Sequence, residues 1–279
     1  MDRIPFGVSR LDRLIGGGAP AGSLVLLAGE AGAGARELLY TSAVMNGLAM
    51  GEHDLFELHY GDIADGAAPP ESVHYVSFTS GADSMRREVG FMMDEEVADS
   101  GLAAVEFCDL APAFFQLSPV PREWYEGHHS EISDLARQDR RESVIEALAG
   151  YLESHGDDSL ICVDSLTDLV GVRKDDALQW SDIVYLVKGL RRAVRAWGGV
   201  LLVHVSMDAL QERRLADLMG SADGTMVFEW ERGGNELART MVVREFRGVL
   251  SQLEEEDITR FETEIHDAGF DISDVRKIR

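Results

Sequence analysis

The sequence predicts an α/β domain in which a mostly parallel, twisted sheet carries helices on both faces and ends in an antiparallel C-terminal edge. Three observations lead there. Apolar strand-like runs alternate with helix-like segments from residue 23 to 207. The strands are near-continuous apolar runs such as SLVLLAG and GVLLVHVSM, as expected when both faces of a sheet are covered. After Met207 strand follows strand, with GGN at 233–235 as a hairpin turn signal. The 279 residues, 45% of them hydrophobic, are enough for one large core.

In chain order, SLVLLAG (23–29) reads as the first core strand, a short apolar run closed by glycine. ARELLYTSAVMNGLAM (35–50) has helical periodicity. GEHDLFELHYGDIADGAAPPE (51–71), with its Gly, Asp and paired prolines, reads as a loop insertion. SVHYVSFTS (72–80) is a strand, Asp83 to about Ala98 a helix, and AVEFCDL (104–110) a strand. APAFFQLSPVPREWYEGHHSE (111–131) sets three prolines among aromatics and reads as a second insertion, the expected place for a protein partner. RRESVIEALAGYLESHG (140–156) is a helix, SLICVDS (159–165) a strand, DIVYLVKGLRRAVRAWG (182–198) an amphipathic helix and GVLLVHVSM (199–207) a buried strand. GTMVFEWERGG (224–234) and ELARTMVVREFRG (236–248) form the antiparallel edge. Residues 1–250 are expected as the core domain and 251–279 as an acidic extension. In that extension either an acidic helix ends at Gly269, or the stretch from Phe261 to Ile272 pairs as short strands.

Asp and Glu number 50 against 26 Lys and Arg, a formal charge of -24. Such a surface repels a polyphosphate backbone, which disfavours a nucleic-acid partner. The only lysines are Lys174, Lys188 and Lys277. An acid-rich, lysine-poor composition resembles that of proteins from salt-accumulating archaea; an ordinary acidic protein is the alternative. Cys108 and Cys162 lack metal or redox spacing and read as buried free thiols of a reducing cytosol. No apolar run is long enough to span a bilayer and the charged N-terminus has no signal-peptide pattern, so a cytoplasmic protein without membrane insertion is expected.

The segment GEAGAGARELLY (29–40) joins the first strand to the first long helix through a glycine-rich turn, the way phosphate-binding loops are built. Against the pattern G-x-x-x-x-G-K-[S/T], Gly29, Gly32 and Gly34 fall in register with Glu30, Ala31 and Ala33 between them, but Ala35 and Arg36 replace the lysine and the hydroxyl residue. Upstream, Gly7, Leu11, Asp12, Gly16, Gly17, Gly18, Pro20, Gly22 and Ser23 form a long preamble. Together these residues resemble the opening of KaiC/RadA-type members of the RecA superfamily, closely over 3–34 and more loosely over 72–250. The resemblance implies a RecA-like P-loop fold and a phosphate loop at residues 29–36.

Its departures bear on chemistry. In a working loop the lysine neutralises phosphate charge and the hydroxyl ligates Mg²⁺; Ala35 does neither, and Arg36 brings a cation to the place of the metal. Asp164, at the end of SLICVDS, corresponds to the aspartate that holds the metal's water shell, or else caps the following turn, as Ser165 and Thr167 could equally. KaiC-like chains end the second core strand with a glutamate pair that activates water. Here Thr79 and Ser80 stand there, and neither is a base at neutral pH. In the late strand Glu245, Phe246, Arg247 and Gly248 match a K-x-R-G stretch that reaches a neighbouring subunit's nucleotide, with Arg247 kept.

Other candidates carry less. His128 with His129, and His53 with His59, lack a third ligand at metal spacing, so no metal site is expected. Lys188, Arg191, Arg192 and Arg195 make a basic helix face, expected to be solvated or to pair with acids of a neighbouring subunit. The expected function is a regulatory or scaffolding pseudo-ATPase with no catalytic residues of its own, a homo-oligomer (dimer or ring), holding ATP or another phosphate ligand without Mg²⁺ if it holds one. An active but atypical ATPase in DNA repair or signalling, or an interaction module with an empty loop, are the alternatives.

Overall fold

The computed structural model describes residues 3–116, 118–125, 143–170, 179–233, 236–249 and 258–277. A nine-stranded sheet runs through it in the order β11-β10-β9-β8-β3-β7-β6-β4-β5. Its parallel strands are β3 (Ser23–Gly29), β4 (Ser72–Ser77), β5 (Val105–Asp109), β6 (Ser159–Asp164), β7 (Val200–Ser206) and β8 (Gly224–Gly233). The antiparallel edge is β9 (Glu236–Phe246), β10 (Ile258–His266) and β11 (Gly269–Lys277). A two-residue pair, β1 (Arg3–Ile4) with β2 (Ala19–Pro20), closes the preamble.

Strand side chains alternate between two cores. Val25 and Leu27 of β3, Leu160 and Cys162 of β6, and Val200 and Leu202 of β7 face one core, together with the helix α2 (Ala35–Gly51). Leu24, Leu26, Ile161, Val163, Leu201 and Val203 face the other, under α7 (Val144–His155) and α8 (Trp180–Trp197). Both faces being covered explains why these strands are apolar throughout. Asp164, His204 and Tyr75 have the parity of the first set, so all three point to the α2 side near the carboxyl ends of their strands, where ligands of open α/β sheets sit.

The preamble folds around one carboxylate. Asp12, in α1 (Ser9–Leu14), is fully buried and accepts the N–H groups of Phe6 (2.8 Å), Gly7 (3.1 Å) and Val8 (3.2 Å) and the Tyr60 hydroxyl (3.1 Å).

Several expectations are corrected. The helix expected from Asp83 to Ala98 is two, α4 (Ala82–Met92) and α5 (Glu95–Leu102), because Asp94 caps the second by accepting from Glu96 N–H at 2.9 Å. The insertion at 51–71 contains a helix, α3 (His53–His59), and the one at 111–131 begins with α6 (Ala111–Phe115); the rest of the latter from residue 126 lies outside the described residues. Of the two readings of the tail, strand pairing over Phe261 to Ile272 is the one observed and the helix is not: β10 and β11 pair with each other and with β9, extending the core sheet, and Gly269 stands at the hairpin turn with φ +100°. Among the described residues the last helix is α9 (Glu212–Met219). Among the described residues no helix is long and apolar enough to cross a membrane.

Candidate functional site

The loop between β3 and α2 is fixed from outside. The Glu30 carboxylate accepts the Trp230 N–H at 2.9 Å, the Trp230 indole donates to Ala31 O at 3.0 Å, and Arg239 Nε donates to Gly32 O at 2.9 Å while its guanidinium lies 4.9 Å from the indole centre. Asp208 accepts the Ala31 N–H at 2.8 Å, and the buried Ala33 returns its N–H to Glu30 O at 3.1 Å. Gly34 precedes the helix with φ +116°, and a Cβ there would lie 2.9 Å from the Phe270 ring, so backbone and space both require glycine. The first helical bond of α2 is Leu38 N–H to Gly34 O at 2.9 Å. The N–H groups of Ala35, Arg36 and Glu37 precede it and form the positive end of a 17-residue helix.

At the centre stands Asp164. Arg36 Nε lies 3.1 Å from its Oδ2, and Arg36 Nη2 donates to Oδ1 at 3.2 Å. The Tyr75 hydroxyl donates to Oδ2 at 2.9 Å, and His204 Nδ1 lies 3.0 Å from Oδ1. Burial would raise the Asp164 carboxyl, but the His204 hydrogen bond, the Arg36 charge and the Tyr75 hydroxyl outweigh it and hold it below the ordinary carboxylate value. Burial works against the Arg36 charge, and Asp164 outweighs it, so Arg36 is held protonated more firmly than a free guanidinium. Tyr75 is pushed well up by burial and by the Asp164 charge, which keeps its proton in place as a donor. The reciprocal cap of the next turn comes from Ser165 and Asp168, so Asp164 is not the capping residue.

Of these groups Arg36 and His204 line a cleft of about 500 Å³, together with the loop residues Gly29 to Gly32 and Gly34 and with Ala35 and Ser206; Asp164 and Tyr75 are not among its lining residues. The rest of the lining is two acids, Glu37 and Glu88, among Tyr40, Phe91, Met92 and Ile265. Tyr40 donates to Glu88 at 2.6 Å and stacks on Tyr75 with ring centres 5.7 Å apart.

Most of the residues singled out in the sequence converge here, but not all. Thr79 is exposed and Ser80 half-buried beyond the end of β4; neither lines the cleft. Arg247, expected to act on a neighbouring subunit, is exposed in the turn after β9. The basic helix face is partly neutralised within its own chain, contrary to expectation: Arg191 (2.9 Å) and Arg195 (2.7 Å) both pair with the buried Asp223, while Lys188 and Arg192 are exposed. His53 and His59 are exposed on α3, His128 and His129 lie outside the described residues, and no group of three possible metal ligands occurs among the described residues. In the 111–131 segment Phe115 contacts Phe114 and Tyr125 (centres 4.9 and 5.4 Å), and Trp124 is 78% exposed.

His204 and the role of Tyr75 were missed. A histidine in an otherwise aliphatic strand, HVS after GVLLV, was the available signal, and its parity with Asp164 was readable from the strand pattern.

No protein-family profile matches the sequence, and no curated protein matches it. Among solved structures, the chain is similar to a KaiC-like protein from the hyperthermophilic archaeon Pyrococcus horikoshii OT3, with 18% identity and a TM-score of 0.63 over 98% of this chain and 99% of that one. At such identity the likeness concerns architecture. Six parallel strands, helices on both faces and an antiparallel edge, aligned over nearly the full length of both chains, give this protein a KaiC/RecA-like fold.

Proposed function

We propose that the protein is a non-hydrolysing P-loop module, regulatory or scaffolding in role, whose cleft holds a phosphate-bearing ligand such as ATP without a metal. One observation carries this reading: the Arg36 guanidinium pairs with Asp164 at 3.1 Å, so the aspartate that would face the metal faces a side-chain cation instead. Where relatives combine a hydroxyl and a carboxylate around Mg²⁺, this chain supplies its own positive charge. Ala35 removes the lysine, and no carboxylate stands at Thr79 or Ser80 to activate water. The N–H groups at the start of α2 and the guanidinium hydrogens not used by Asp164 remain to receive an anion. Oligomerisation, as dimer or ring, belongs to the same proposal.

Titration of the protein in high salt with ATP, once with Mg²⁺ and once with EDTA, tests it. Binding should be weak and equal in the two, with no phosphate released above background. Tight binding lost on chelation, or turnover abolished by Asp164→Ala, would overturn it. The alternative of an interaction module with an empty loop is favoured by the exposed Trp124 in the segment where Phe115 contacts Phe114 and Tyr125; it predicts no nucleotide binding under either condition.

A further inference from the structure

His204 is the polar group of the cleft that phosphate-loop chemistry does not account for. Its side chain is 9% exposed, it lines the cleft, and Nδ1 is bound to Asp164 at 3.0 Å. Among the described residues Nε2 has no hydrogen-bond partner. Nε2 opens to the cleft, where a ligand or water can meet it.

The direction of that bond follows from Asp164. The carboxylate already receives donors from Arg36 and Tyr75 and is held ionised, and an ionised carboxylate only accepts. Nδ1 therefore carries the ring hydrogen. In the neutral imidazole Nε2 then turns a lone pair to the cleft. The other groups at this end donate: the N–H groups that open α2 and the unused edge of the Arg36 guanidinium. The complementary ligand is a tetrahedral anion with several bare oxygens and one oxygen that still carries hydrogen.

We propose that the cleft selects inorganic hydrogen phosphate over fully deprotonated tetrahedral anions such as sulfate, and that His204 Nε2 is the acceptor that makes the distinction. This rests on the reading of the cleft as a metal-free phosphate site and assigns its specificity. Hydrogen phosphate and sulfate carry the same charge and nearly the same shape, so they differ at this wall by one hydrogen. With sulfate an oxygen lone pair faces the Nε2 lone pair and both stay unpaired, the arrangement by which hydrogen-bonding sites reject analogues lacking a donor.

The test is calorimetric titration of the whole chain with inorganic phosphate and with sulfate, at constant ionic strength and about pH 8. Phosphate should bind about tenfold more tightly or better, the ratio that one buried hydrogen bond supplies. In His204→Gln the amide offers either an oxygen or an N–H to the same place, and the preference should fall to within about threefold. His204→Ala gives an independent reading, because it removes the acceptor and offers no donor in its place; the preference should then be lost. Equal binding of the two anions by the wild type, or a preference unchanged in both variants, overturns the assignment of His204 and leaves the metal-free anion site standing. Binding of neither anion by the wild type removes that site and the assignment with it.

Discussion

Replacing Arg36 by alanine isolates the ion pair on which the functional reading rests. At 3.1 Å the two charges attract by about 5 kcal/mol with an effective dielectric constant near 20. That gross figure must be discounted, because the Arg36 side chain is 46% exposed while that of Asp164 is only 10% exposed. Breaking a fully buried pair costs about 3–5 kcal/mol, and an exposed one about 0–1. Asp164 also keeps Tyr75 and His204 as donors after the change. A loss of about 2 kcal/mol is therefore expected, equivalent to a fall in Tm of roughly 4–8 °C for a domain of this size. The assay is urea unfolding of Arg36→Ala, Asp164→Asn and the double variant at fixed molar KCl, urea being chosen so that the denaturant adds no screening. The double-mutant cycle should return a coupling of about 1 kcal/mol or more. Single effects that add without coupling would mean that Arg36 and Asp164 do not stabilise one another, and the substitution of a metal by a side chain would fall with them.

Three further outcomes are expected. Asp12→Ala strands three buried backbone N–H groups and the Tyr60 hydroxyl, so chemical unfolding should register a loss of about 3–5 kcal/mol, against about 1 for Tyr60→Phe, which removes one donor. Because the folded value of Asp164 is depressed, its contribution is fully present above the unfolded value near 3.9 and is lost as pH falls through the folded one; the stabilities of wild type and Arg36→Ala should therefore converge below about pH 4 in pH-dependent melts, and a gap that persists into acid would contradict the pairing. With a formal charge of -24, Tm should rise from 0.1 M to 1 M KCl as the Debye length shrinks from about 10 to 3 Å, and an unchanged midpoint would dismiss the halophilic reading.

How much the sequence revealed depended on whether a feature was local. Both-face burial writes itself into composition, so the core strands were legible to within a residue or two: 23–29 and 159–165 against Ser23–Gly29 and Ser159–Asp164. The glycine loop was legible because its conformation is dictated residue by residue. The break between α4 and α5 was missed because Asp94 acts as a cap only once the chain has turned there. The Asp164 cluster was half legible. Its members come from residues 36, 75, 164 and 204, and only pairing of β4, β6 and β7 brings them together; strand parity gives their side but not their partner. The tail was ambiguous because a two-strand hairpin with acids outward has weak periodicity, and what decides it is the apolar ground that Phe261, Phe270 and Ile272 find at the sheet.

That hairpin has a consequence for the order of events during synthesis. Phe270 N–H donates to the Thr41 hydroxyl at 2.9 Å across a sequence separation of 229 residues, and its ring closes over Gly34 and meets Phe228 edge-on with centres 5.8 Å apart. The turn emerging near residue 30 thus waits for a strand that follows Thr41 by 229 residues. Contacts of such separation form late, after the loop-closure entropy of nearly the whole chain has been overcome. A nascent chain can build β3 and begin α2, but the wall over Gly34 is absent until residue 270 arrives, so the cleft does not mature from the N-terminal half alone.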